Sequence, residues 1–108
     1  DYVHVVDLTS SHIMVYDELD ASGELIYNVG TASGYTVLEI IQKTQEVLGS
    51  EYQIQYEFGP RRPGDPPVLV ADNAKIRKEL KWEPKFDLEQ IISTAWNWHR
   101  NHPTGYTR

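Results

Sequence analysis

The sequence predicts a small mixed α/β chain, an α+β-like lobe of about four helices and three or four short strands. Three observations carry that prediction. A Thr-x-x-Glu capping box at Thr36 and Glu39 opens a run with apolar residues at helical spacing. Asp87, with Gln90 three residues on, opens a second such run. Between them, Tyr52 to Phe58 alternates strictly between aromatic or aliphatic and polar residues, the pattern of a half-buried strand. A length of 108 residues makes residues 1–108 a single lobe rather than two domains.

The elements follow in order. Tyr2 to Val6 is β-branched and reads as a strand. Asp7 to Leu19 has apolar positions near the helical period and reads as a helix. Asp20 to Gly23 is a turn, and Leu25 to Val29 a second strand ending at Gly30. Thr36 then caps a helix whose apolar face runs from Val37 to Leu48, with Gly49 as its stop. After the alternating strand, Pro60, Pro63, Pro66 and Pro67 mark a stiff loop. Val68 to Ala71 adds a short strand. Asp72 caps a helix through Leu80 whose end Trp82 covers, and Asp87 caps the last helix, which Pro103 closes.

Composition excludes several classes. No run of about 18 apolar residues exists, so no membrane span is expected. Zero cysteines leave no disulfide framework and no thiolate nucleophile, which suits a cytoplasmic location. A formal net charge of −6 argues against nucleic acid as a partner. The charge is uneven: residues 1–60 carry one basic and ten acidic residues, residues 61–108 nine basic and six acidic. The sign changes at Arg61 and Arg62, so any attraction for an anion there is local.

Candidate chemistry is sparse. Gly30-Thr31-Ala32-Ser33-Gly34 precedes a capped helix, but G-x-x-x-G is neither a dinucleotide fingerprint nor a P-loop, and turn geometry is its default reading. His99 and His102 are three apart with no carboxylate or cysteine to complete a metal site, so no metal ligands are expected. Ser10, Ser11, His12 and Asp7 are neighbours in sequence, which says nothing of a catalytic triad in space. Arg61-Arg62-Pro63-Gly64-Asp65 is more pointed. Two guanidiniums can grip a diphosphate, and a carboxylate three residues on can accept hydrogen bonds from vicinal sugar hydroxyls. The plain alternative is surface salt bridges to the acidic half.

Four stretches in this order resemble one family. They are Asp1-Tyr2-Val3-His4-Val5-Val6-Asp7-Leu8, Tyr27-Asn28-Val29-Gly30, Pro60 to Asp65 followed by Ala71-Asp72 and Arg77 to Trp82, and the tail Ala95 to Tyr106. Over nearly its whole length the chain resembles the C-terminal third of the UDP-glucose 4-epimerases, which are extended short-chain dehydrogenase/reductases. The resemblance implies a UDP-sugar-binding lobe of an NAD-dependent isomerase. In that family NAD takes a hydride from the sugar C4, and the 4-keto sugar turns over before the hydride returns. It implies that Arg62 binds the diphosphate and Asp65 the uridine ribose. By the same resemblance, Tyr2 and Val37 match positions that line the nucleotide pocket, Arg61 is the neighbouring arginine in support, and Leu69 matches a position near the nucleotide.

The departures from the family shape the remaining expectations. No G-x-x-G-x-x-G occurs, and none of the seven tyrosines is followed by lysine four residues later. The chain therefore carries no cofactor-binding and no catalytic residue. It reads as a fragment that lacks its Rossmann domain, inactive alone, whose partner is an N-terminal NAD-binding domain. The alternatives are a free-standing UDP-sugar-binding or assembly module and a fragment of a related nucleotide-sugar epimerase, dehydratase or decarboxylase. An exposed strand edge at Leu25 to Val29 would favour homo-oligomers.

Overall fold

The computed structural model describes residues 1–19 and 23–106. Among these, the chain forms four α-helices: α1 (Val5–Asp17), α2 (Val37–Leu48), α3 (Ala74–Leu80) and α4 (Leu88–Asn101). The turn expected over residues 20–23 lies mostly outside the described residues. No described helix is long and apolar enough to cross a membrane.

The expected strands do not form, and the α/β assignment is corrected accordingly: among the described residues there is no strand and no sheet. A strand exists only where a second strand takes up its N–H and C=O groups. Here those groups are taken up otherwise. At residues 2–6 the His4 ring nitrogen Nδ1 accepts from the Val6 amide and caps α1, so Val5 and Val6 join a helix. At residues 25–29 the Ile26 carbonyl accepts from Lys75 Nζ. At residues 52–58 Gln45 occupies the chain: its Nε2 donates to the Tyr52 carbonyl and its Oε1 accepts from the Ile54 amide. At residues 68–71 the Leu69 carbonyl and the Ala71 amide both bond to Asp1. The strand edge at residues 25–29, on which self-association was expected, is therefore not formed.

The residues group into two compact units, each built from two stretches of chain. The first comprises Asp1–Tyr35 and Pro66–Phe86. Its helix α1 turns Asp7 and Ser11 inward, both almost fully buried, and leaves Val5, Val6, Ile13 and Tyr16 exposed. The inward polar residues have partners. Trp82, 2% exposed, donates its indole N–H to the Asp7 carbonyl at 3.1 Å and to Ser10 Oγ at 3.0 Å. The Asp7 carboxylate accepts from the amides of Lys85 and Phe86 at 3.0 and 3.1 Å. The buried His4 ring stacks on Phe86 at 4.1 Å. Helix α3 inserts Ile76, fully buried, into the same unit. Its N-cap position is Asn73, one residue later than expected, although the Asp72 carboxylate does accept from the Ala74 amide.

The second unit comprises Thr36–Asp65 and Asp87–Arg108, in which α2 packs on α4. Both capping boxes are complete. Thr36 Oγ1 accepts from the Glu39 amide while the Glu39 carboxylate accepts from the Thr36 amide, and Asp87 and Gln90 do the same. These bonds satisfy amides that a helix start leaves without partners. They also hold the Glu39 carboxyl below its ordinary value, chiefly through the Thr36 backbone amide. Gly49 ends α2 with φ at +76°, a conformation that favours glycine. Tyr52 meets Trp96 of α4 edge-on at 5.0 Å. Near the end of α4, Trp98 stacks on His102 and is flanked by Tyr106.

Candidate functional site

The six residues assigned to a UDP-sugar are divided between the units. Val37, Arg61, Arg62 and Asp65 belong to the second, Tyr2 and Leu69 to the first. All six are exposed.

In the second unit the sequence Arg62-Pro63-Gly64-Asp65 forms a tight turn closed by the Asp65 amide on the Arg62 carbonyl, at 3.4 Å. Proline at the second position and glycine at the third are what a type II turn requires. Gly64 has φ at +88°, open to glycine and costly to other residues. The turn brings the three functional suspects together. Arg62 Nε donates to Asp65 Oδ2 at 2.9 Å, and Arg61 Nη2 donates to the Asp65 carbonyl at 3.2 Å. The Arg62 side chain is 83% exposed, so this ion pair adds little stability. Its consequence is geometric. Asp65 holds Arg62 by Nε alone, and the terminal guanidinium nitrogens make no hydrogen bond among the described residues. That edge of the fork can take two phosphate oxygens. Val37 is the first residue of α2, beside the Thr36 cap, and is 71% exposed.

In the first unit Tyr2 and Leu69 lie on segments that Asp1 joins: the Asp1 backbone nitrogen donates to the Leu69 carbonyl at 3.0 Å. The Asp1 carboxylate reaches further, to the amides of Thr31, Ala32 and Ala71 and to the Thr31 hydroxyl. Sequence reasoning missed Asp1. Its type and position gave no signal, because the partners are 30 to 70 residues away.

The same contacts decide the Gly30 to Gly34 loop. The amides of Thr31 and Ala32 are taken by Asp1 and that of Ser33 by the Thr31 hydroxyl. A loop that spends these donors internally is not a phosphate cradle. The Gly30 to Gly34 loop therefore has no free amides at Thr31, Ala32 or Ser33 to offer a diphosphate.

An open groove of about 650 Å³ in the first unit lies between α1 and residues 25–29, lined mainly by Ile13, Tyr16, Leu19, Leu25 and Val29. None of the six assigned residues lines it, and its wall is apolar, which suits neither phosphate nor sugar. At its rim the Tyr27 hydroxyl donates to Glu79 at 2.8 Å, and this bond raises the phenol above its ordinary value. The Lys75 ammonium sits over the same ring at 4.7 Å. Neither contact was legible from spacing. No group of three or more metal-ligating side chains occurs among the described residues.

Comparison with known proteins places this arrangement in a class. Residues 1–95 match the family model described as GDP-mannose 4,6 dehydratase, and the chain belongs to that family. Within it, the chain is similar to UDP-glucose 4-epimerases. It is 47% identical over 108 residues to that of Lacticaseibacillus casei, covering 98% of this chain and 32% of the relative. It is 41% identical to that of Bacillus subtilis, covering 98% of this chain and 31% of the relative.

Solved structures agree. The UDP-glucose 4-epimerase of Bifidobacterium longum, in complex with NAD+ and UDP, superposes with a TM-score of 0.87 at 39% identity, over 98% of this chain and 31% of that one. That of Stenotrophomonas maltophila, with NAD and formylated UDP-arabinopyranose, gives 0.85 at 33%, over 95% and 30%. The chain thus spans about a third of the length of these relatives and matches their C-terminal part.

Proposed function

We propose that this chain forms the UDP-sugar-binding part of a UDP-glucose 4-epimerase and is inactive without the rest of such an enzyme. The observation that carries the reading is the Arg61 to Asp65 turn. Pro63 and Gly64 fix a bend in which Asp65 orients Arg62 while leaving its terminal nitrogens exposed. In this reading Arg62 binds the diphosphate and Asp65 the ribose of uridine, with Arg61 in support. Val37, Tyr2 and Leu69 contribute to the nucleotide site. Reaction with the sugar requires NAD and catalytic groups that this chain does not supply, so its share of the work is recognition and orientation of UDP-glucose or UDP-galactose.

Calorimetric titration tests it. The chain should bind UDP weakly and NAD not at all, and Arg62→Ala combined with Asp65→Ala should abolish UDP binding while leaving the helical circular dichroism unchanged. UDP binding that survives the double substitution would overturn the site assignment. The family model's description makes GDP the third ligand to titrate: a preference for GDP would replace the uridine reading with a guanosine one.

A further inference from the structure

We infer that Asp1 is a positioning residue for the nucleotide site: its carboxylate clasps Thr31 and Ala32 to Ala71, and thereby sets where Tyr2 and Leu69 stand. The inference rests on the UDP-sugar reading above.

The clasp uses both carboxylate oxygens. Oδ1 accepts from the Thr31 amide at 3.1 Å and the Thr31 hydroxyl at 2.6 Å, and Oδ2 from the amides of Ala32 and Ala71 at 3.2 and 3.1 Å. Four donors on two oxygens call for a group that only accepts, which is an ionised carboxylate. An amide in its place would turn an N–H toward one of these pairs.

The parts around it have no slack. A Cβ built on the buried Gly30 would stand 2.5 Å from Asp1 Oδ2 and 2.7 Å from the Ala71 Cβ, so the three segments touch at a point where only glycine fits. Asn73, 3% exposed, donates from Nδ2 to the Gly30 carbonyl at 2.7 Å and pins the loop from the other side. Ala32 has φ at +59°, a left-handed conformation unusual for a residue with a side chain. Such a conformation persists where surroundings over-determine it, and here the Ala32 amide is one of the four donors on Asp1.

Tyr2 follows Asp1 directly, and Leu69 stands two residues before Ala71. Their side chains are 43% and 74% exposed, so packing does little to hold them. Their placement comes from the backbone, and Asp1 fastens it: its own backbone nitrogen donates to the Leu69 carbonyl and its carboxylate accepts from the Ala71 amide two residues on. Binding that depends on a preset arrangement weakens when the arrangement loosens.

The test is UDP titration of the chain and of its Asp1→Asn variant, well below the melting temperature of either. A second pair carries Tyr2→Ala with Leu69→Ala in both members. Asp1→Asn should weaken UDP binding about tenfold, the scale of one charge-assisted hydrogen bond. In the Tyr2→Ala, Leu69→Ala background it should have almost no further effect, because the residues it acts through are gone. A full-sized effect in that background would overturn the inference. So would unchanged UDP affinity alongside faster amide exchange at residues 30–32 and 69–71, since Asp1 would then serve stability alone. Failure of the unsubstituted chain to bind UDP would overturn the UDP-sugar reading itself, a distinct result from binding that Asp1→Asn leaves intact.

Discussion

The indole nitrogen of Trp82 donates to the main-chain carbonyl of Asp7 at 3.1 Å, across 75 residues of sequence. The Asp7 carboxylate meanwhile accepts from the amides of Lys85 and Phe86, just beyond that tryptophan. One residue of α1 thus receives three bonds from a single return stretch of chain. Asp7→Ala should cost about 2–4 kcal/mol, because it leaves two amides without partners in a largely buried setting. Asp7→Asn, whose side-chain oxygen can accept from both, should cost much less. Urea denaturation of the three proteins distinguishes the two costs.

Helix α2 should depend on pH through its cap. The Glu39 carboxyl is held below its ordinary value by the Thr36 amide and hydroxyl. A carboxyl with a depressed value in the folded chain contributes stability above its unfolded value and loses it as pH falls through the folded one. Acidification should therefore weaken α2 below the ordinary glutamate range. Thr36→Ala should cost about 1 kcal/mol at neutral pH and reduce this acid dependence only in part, because the backbone amide that chiefly lowers the Glu39 carboxyl is retained. Thermal melts of both proteins across acid pH check it.

The turn at Gly64 separates site geometry from stability. With φ at +88°, Gly64→Ala should cost about 1–2 kcal/mol in backbone strain. Nothing within 4 Å would clash with the added methyl group, so the remainder of the fold should be unaffected. The Arg62 and Asp65 side chains should lose their common orientation, and UDP affinity should fall accordingly. Retained affinity with lowered stability would show that the turn does not orient the pair.

Tyr27 gives a test at alkaline pH. Its phenol is raised by the hydrogen bond to Glu79. A group whose folded value is raised contributes stability below its unfolded value and loses it as pH rises through the folded one. An absorbance titration should find Tyr27 ionising above ordinary tyrosine, and Glu79→Gln should bring it back toward the ordinary range. Tyr27→Phe removes the transition and identifies it.

The helices were legible and the strands were not, for one physical reason. A helix satisfies its own backbone, so Thr36 with Glu39, and Asp87 with Gln90, announce α2 and α4 locally. A strand depends on a neighbour elsewhere in the chain. Tyr52 to Phe58 alternates as a strand should, yet its neighbour is the Gln45 side chain, and of its large residues Tyr52, Tyr56 and Phe58 are exposed. Helix α1 was legible as a helix but not in its inward face, because Asp7 and Ser11 point inward while Ile13 and Tyr16 do not. In the candidate site, the prolines showed a stiff loop holding Arg61, Arg62 and Asp65, but the turn that closes Asp65 onto Arg62 came from the structure. The Asp1 clasp could not be read, since each of its bonds spans at least 30 residues.

Gln45 bonds the Gly49 carbonyl, the Tyr52 carbonyl and the Ile54 amide, at separations of 4, 7 and 9 residues. Closing such short loops takes little chain entropy, whereas the bonds of Asp1 span 30, 31 and 70 residues. The order of assembly follows. The Gln45 clamp can close as soon as α2 and the next few residues have formed, and again first after any unfolding. Asp1 must wait until the chain has returned from Ala71. Newly made or refolding molecules should therefore pass through a stage with the α2 exit already fixed and the Asp1 clasp still open.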